Sequence, residues 1–222
     1  MDPPADFKDR IKASYDAMAV EYNEWTAAHT HLRLKYLDEL LERFPRLTST
    51  DATKPAAVLE LGCGAGKPFL SGLLSRTGSH VTAVANDLSD AQLDLARANL
   101  ADVADRVTWQ AGDMTKLAFE DGSLAAVVAL YSVIHLTREE QAAMLGKIAA
   151  WLEPGGVLLA TFALEDGSNV DESWLHENGW MYWSGLGVEG TKKGLAEVGL
   201  KSEKAEIEGD EQEKFLWVVA RK

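Results

Sequence analysis

VLELGCGAG, the stretch from Val58 to Gly66, decides the fold. An apolar run carrying one acid, Glu60, opens into Gly62, Gly64 and Gly66 before amphipathic sequence begins. Short apolar runs read as buried strands, and closely spaced glycines let the backbone turn sharply and approach a ligand. The segment is therefore read as strand, tight loop and helix start at the carboxyl edge of a sheet, where doubly wound folds bind nucleotides. A dinucleotide fingerprint needs its third glycine where Lys67 stands, which disfavours a nicotinamide cofactor. Pro68 after Lys67 likewise disfavours a phosphate loop closing on Gly-Lys-Ser/Thr.

Working outward, apolar runs at 56–61, 81–85, 107–110, 125–131 and 157–164 alternate with amphipathic sequence. Such alternation predicts parallel strands with helices on both faces. Ser89 with Gln92, and Thr137 with Glu140, have the spacing of helix capping boxes. Runs at 200–207 and 215–220, joined by an acidic turn, leave no room for a crossover helix and should pair antiparallel. On the amino-terminal side, 7–29 and 31–44 predict two helices, the second carrying Leu34, Leu37, Leu41 and Phe44 at helical spacing and ending at Pro45. Residues 46–55 read as a surface connection. The expected fold is α/β: a seven-stranded, mostly parallel sheet with an antiparallel last strand.

Composition narrows the function. A chain of 222 residues, 46% of them hydrophobic, can bury one full core. A net charge of -13 repels nucleic acid and anionic membranes. The lone cysteine, Cys63, excludes an intramolecular disulfide and a multi-thiolate metal site. No apolar run approaches the roughly 20 residues of a membrane span, so a soluble, cytoplasmic protein is expected.

Three loops outline an adenosine pocket. Asp87, at the end of the second strand, is placed to accept hydrogen bonds from both ribose hydroxyls. Asp113 and Met114, after the third, can bracket an adenine with one acidic and one apolar side chain. Tyr15 and Tyr22 stand two helical turns apart, so one face presents both as a cover, unless they only pack the helix.

YDAMAVEY, VLELGCGAGKP, NDLSDAQL, AGDMTKLAF, VVALYSVIHLTREEQ and LEPGGVLLATF together resemble class I S-adenosylmethionine-dependent methyltransferases, specifically the small-molecule group known as methyltransferase type 11. The resemblance extends, more selectively, to WMYWS and FLWVVARK. It implies a Rossmann-like fold divided into an N-terminal helical lid (1–45), a cofactor-binding core (56–164), and an acceptor-side insertion with a C-terminal hairpin (165–222). It also implies S-adenosyl-L-methionine as cofactor, leaving as S-adenosyl-L-homocysteine. Glu60 and the loop Gly62, Cys63, Gly64 and Gly66 would hold its methionine part. Asp87 would meet the ribose, Asp113 and Met114 the adenine, and Leu88 and Gln92 would also bind the cofactor. Leu130 and Tyr131 would line the passage to the methyl group. Ala125, Asn86 and Gly185 depart from the family pattern, the last removing a histidine that could touch substrate.

The acceptor would be a small, aromatic or apolar molecule attacking through N, O or S, in a monomer or homodimer. Trp174, Trp180, Met181 and Trp183 would wall its pocket, unless they plug the gap between sheet and N-terminal helices. An aromatic box would also favour a cationic amine. His135, at the carboxyl end of the sheet, would serve as base if it is not simply packed there. His176 is a weaker candidate, while His29, His31 and His80 read as surface or loop residues. The residues after the fourth strand, Leu130-Tyr131-Ser132-Val133, lack the Asn/Asp-Pro-Pro-Tyr signature of base-methylating enzymes and the acids of polyamine chemistry. One cysteine argues against arsenic methylation. A cofactor-binding regulator or interaction protein without catalysis is the alternative.

Overall fold

The computed structural model describes residues 2–49, 55–209 and 214–222. The glycine loop leaves β1 (Ala56–Leu61), whose neighbours are β2 (Val81–Asp87) on one side and β4 (Leu124–Ala129) on the other. Beyond them lie β3 (Val107–Ala111) and β5 (Leu152–Phe162), all five strands parallel. After a separate antiparallel pair, β6 (Asp166–Asp171) and β7 (Met181–Leu186), the chain adds β8 (Lys201–Gly209) and β9 (Lys214–Arg221). Among the described residues the main sheet has seven strands, ordered β3-β2-β1-β4-β5-β9-β8, with β9 antiparallel to both β5 and β8. Strand order reverses between β1 and β4, so the loops leaving these strands diverge and open a crevice at the carboxyl edge.

Helices α4 (Phe69–Arg76), α5 (Asp90–Asn99), α6 (Arg138–Trp151) and α7 (Gly187–Glu197) cover the sheet, and two buried apolar clusters fill its faces. The start of α6 carries a complete capping box between Thr137 and Glu140. At α5 the Ser89 hydroxyl accepts the Gln92 N–H.

Several expectations need correction. The first helical stretch is two helices, α1 (Phe7–Ala17) and α2 (Ala19–Thr26), broken at Met18, whose φ and ψ of -114° and 21° leave the helical range. Helix α3 (Thr30–Arg43) stops before Pro45, as read. Strand β4 ends at Ala129, so Leu130 and Tyr131 lie in the loop beyond it, Tyr131 at a φ of 58°. Strand β5 begins at Leu152, despite Pro154, Gly155 and Gly156, because a register shift between Leu124 and Ala126 lets the ladder continue past them. The β6–β7 hairpin was not foreseen. The acidic turn before β9 and part of the 46–55 connection lie outside the described residues.

Gly62 shows why the loop needs glycine: its φ is +71°, and a Cβ there would sit 2.4 Å from the Ser132 Cβ. Gly146, inside α6, has nothing within 4 Å of the corresponding position. Urea unfolding should therefore separate the two alanine variants. Gly62→Ala is expected to lose about 2 kcal/mol or more, through backbone strain and overlap. Gly146→Ala should gain roughly 0.5–1 kcal/mol from the stiffer unfolded chain.

Candidate cofactor and acceptor site

Asp87 fixes the shape of the crevice. Its carboxylate accepts the Gly64 N–H at 2.8 Å and the Ser89 N–H at 2.9 Å, joining the loop after β1 to the turn after β2. Burial pushes the carboxyl up to about 6, and the backbone donors at Ser89 and Gly64 pull it partly back. Neighbouring Asn86 spends its amide on the carbonyls of Gln110 and Gly112, at 2.8 and 2.9 Å. The one-residue departure at Asn86 thus leaves Asp87 as the acid at the loop.

A cleft opens above this junction. Of the residues singled out in the sequence, it brings together Tyr15, Tyr22, Gly62, Gly64, Asp87, Leu88, Gln92, Asp113, Met114, Leu130, Tyr131 and His135. Glu60, Cys63 and Gly66 do not line it. The Cys63 thiol is buried in the core, and burial raises its pKa, so it is inert. Gly66 faces Leu100, packing the loop on α5.

Lys8, Ile11 and Ser132 also line the cleft and were missed. Lys8 reaches from α1 to Asp113 at 2.9 Å and to Glu140. Burial alone would raise the Asp113 carboxyl, but Lys8 and Thr115 outweigh it and hold it below the usual carboxylate range. No sequence signal joins residues more than a hundred positions apart.

Four side chains continue from this cleft into a second chamber of about 860 Å³: Tyr15, Tyr22, Tyr131 and His135. Nδ1 of His135 lies 2.9 Å from the Tyr182 carbonyl, which only accepts, so this nitrogen carries the proton. Nε2 is then the acceptor for the Tyr15 hydroxyl, also 2.9 Å away. Burial lowers the His135 pKa to about 4, against the pull of the Tyr182 carbonyl, so the ring is neutral at pH 7. Trp174 and Trp183 line the chamber. Trp180 and Met181 line neither space and instead pack with Phe7 and Ile11 of α1, Met181 being fully buried, so for these two the plug describes the structure. His176 lines neither space and accepts the Asn178 N–H within its own turn. His80 is buried against the Arg46 carbonyl rather than exposed. His31 is exposed on α3, and the His29 side chain lies outside the described residues.

The residues fit an adenosine-bearing, zwitterionic cofactor. Gln92 Nε2 and Ser132 Oγ line the cleft, and Glu60 Oε2 lies buried at the end of β1; none has a hydrogen-bond partner among the described residues. Buried polar atoms of this kind call for a ligand or water to satisfy them.

Sheet order, glycine loop and switch-point cleft define a class I methyltransferase fold. Residues 58–156 match the model of a family described as methyltransferase domain. A phosphoethanolamine N-methyltransferase of Triticum aestivum is 30% identical over 55% of this chain and 22% of its own. The 27-O-demethylrifamycin SV methyltransferase of Amycolatopsis mediterranei is 31% identical over 67% of this chain and 55% of its own. The chain thus spans about half the length, or less, of these curated relatives. Among solved structures, magnesium protoporphyrin IX methyltransferase from Synechocystis, with bound S-adenosylmethionine, superposes with a TM-score of 0.72 over 100% of both chains at 15% identity. Residues 58–156 thus resemble the methyltransferase-domain family, and the chain as a whole has the class I methyltransferase fold.

If Asp87 takes the ribose hydroxyls, as the sequence reading expects, their donation would favour its ionised form and binding would release a proton near pH 6. Affinity for S-adenosylhomocysteine, measured by calorimetry, is expected to fall about tenfold from pH 7 to pH 5 as Asp87 protonates. Asp87→Asn should bind weakly and lose this pH dependence.

Proposed function

We propose that this chain transfers the methyl group of S-adenosylmethionine to an N, O or S atom of a small molecule held in the second chamber. The observation that carries the reading is the shared wall: Tyr15, Tyr22, Tyr131 and His135 face both spaces, so donor and acceptor meet across them. In this reading the Gly62–Gly66 loop holds the methionine part above buried Glu60. Asp87 accepts from the ribose, with Leu88 and Gln92 beside it. Asp113 and Met114 flank the adenine, and Leu130 and Tyr131 line the passage. The segment 1–45 serves as lid, 56–164 as cofactor core and 165–222 as acceptor side.

When bound, the cofactor supplies a sulfonium methyl group already activated for in-line attack. The protein's task is then alignment, exclusion of water and handling of one proton. Helices α1 and α2 bring Tyr15 and Tyr22 over the cleft, and Trp174 and Trp183 keep the acceptor side apolar. Nε2 of His135 receives the Tyr15 proton as the Tyr15 oxygen takes one from the acceptor. With its pKa near 4, His135 is too weak a base to remove that proton beforehand, so the relay accompanies bond formation.

Calorimetry with S-adenosylmethionine, S-adenosylhomocysteine and NAD tests the cofactor, and methyl-labelled cofactor offered to amines, phenols, thiols and carboxylic acids tests transfer. Binding without turnover on any of these would favour the non-catalytic alternative, and preference for NAD would overturn both. On an acceptor that is turned over, Tyr15→Phe and His135→Ala should each lower kcat about 100-fold. His135→Ala should leave S-adenosylhomocysteine affinity within about fivefold; unchanged turnover would remove the relay.

A further inference from the structure

The chain carries a net charge of -13, yet among the described residues the second chamber is lined by two cations, Arg33 and Lys214, and by no carboxylate. One wall is aromatic: Trp174 meets Trp25 and Trp183 edge-on, each with ring centres 5.5 Å apart. The other is cationic. The Arg33 guanidinium lies 4.5 Å from the centre of the Tyr131 ring, and Tyr131 meets Phe215 edge-on at 4.9 Å, with Lys214 next in the chain.

Arg33 donates to the Thr26 carbonyl at 3.3 Å, and neither cation has an ion pair among the described residues. Glu60 lies within the field of Arg33, but burial pushes that carboxyl up to about 8, so it largely keeps its proton at pH 7. A guanidinium resting on an aromatic face with donors unspent, beside tryptophan rings, is built for a flat anion.

We propose that the acceptor is a flat aromatic acid whose carboxylate binds Arg33 and Lys214 while its ring lies against Trp174 and Trp183. This rests on reading the chamber as the acceptor's. It reverses the preference that an aromatic box alone suggests, because a cationic amine would enter against two like charges.

The test compares three probes that share a skeleton and differ in charge: cinnamate, cinnamamide and cinnamylamine. Each is titrated by tryptophan fluorescence and calorimetry in the presence of S-adenosylhomocysteine, whose own binding is measured first. Cinnamate is expected to bind at least about tenfold more tightly than the amide or the amine. Arg33→Gln should abolish that preference, Arg33→Lys should keep part of it, and exposed Lys214→Gln should reduce it about threefold. Retained S-adenosylhomocysteine binding shows that each variant is folded. If S-adenosylhomocysteine binds but cinnamate does not, or binds no better than the amide, the acid proposal is overturned and the methyltransferase reading stands. If S-adenosylhomocysteine itself fails to bind the wild type, both fall.

Discussion

The carboxylate of Asp87 holds the two halves of the site together. Its bonds to the Gly64 and Ser89 N–H groups tie the loop after β1 to the turn after β2, beside the backbone bond from the Cys63 N–H to the Asn86 carbonyl. Ser89 passes the constraint on, since its hydroxyl accepts the Gln92 N–H at the head of α5 and donates to Asp16 at 2.6 Å. Asp16 also accepts the Ala91 N–H, and it is the residue after Tyr15. One buried acid therefore sets the glycine loop, the start of α5 and, through α1, the tyrosine that faces both spaces. Its burial costs stability, because the ionised form is disfavoured, but an uncharged residue would not hold two backbone donors as firmly.

The N-terminal helices sit on the sheet edge by a mixture of forces. Phe7 and Ile11 supply an apolar contact with Met181 and Tyr182, with Phe7 and Tyr182 edge-on at 5.3 Å. Polar pins do the rest: Ser14 to the Trp180 carbonyl, Asn23 to Gln92, and Lys8 to Asp113. Such bonds are individually modest, whereas α3 is held by the stacked pair of Tyr36 and Trp217, 4.2 Å apart. Gln92 and Asp113 belong to both cover and cleft.

What the sequence makes legible follows from local physics. The strand alternation, the glycine loop, the acid ending β2 and the capping box at Thr137 depend on neighbours within a few residues, and all appear, with the bounds of β4 and β5 shifted. The hairpin does not, because DGSNVD in β6 has one apolar residue in six and is held by pairing with β7 rather than by its own pattern. Nor does the break at Met18, which no proline or glycine marks. Lys8 and Arg33 reach the site from helices remote in sequence, so topology alone places them. Trp180 and Met181 illustrate the same limit. Both pack against α1 while Trp183 lines the chamber, and the aromatic cluster gave no way to divide them.

Burial drives the ionisable groups of the site toward their neutral forms: Glu60 rises to about 8, His135 falls to about 4, and Asp87 is poised near 6. Only Asp113, with Lys8 beside it, is held ionised by a partner. The cleft is thus furnished mainly with dipoles: the Tyr15 hydroxyl and Nε2 of His135 where the two spaces meet, and the Gln92 amide and Ser132 hydroxyl on the cleft side. Fixed dipoles in a dry site need little reorganisation when charge moves between bound molecules, whereas water or mobile counter-ions would have to rearrange. Of the two chamber cations, Arg33, resting on the face of Tyr131, comes nearer to this junction, and Lys214 stands beyond it beside Phe215.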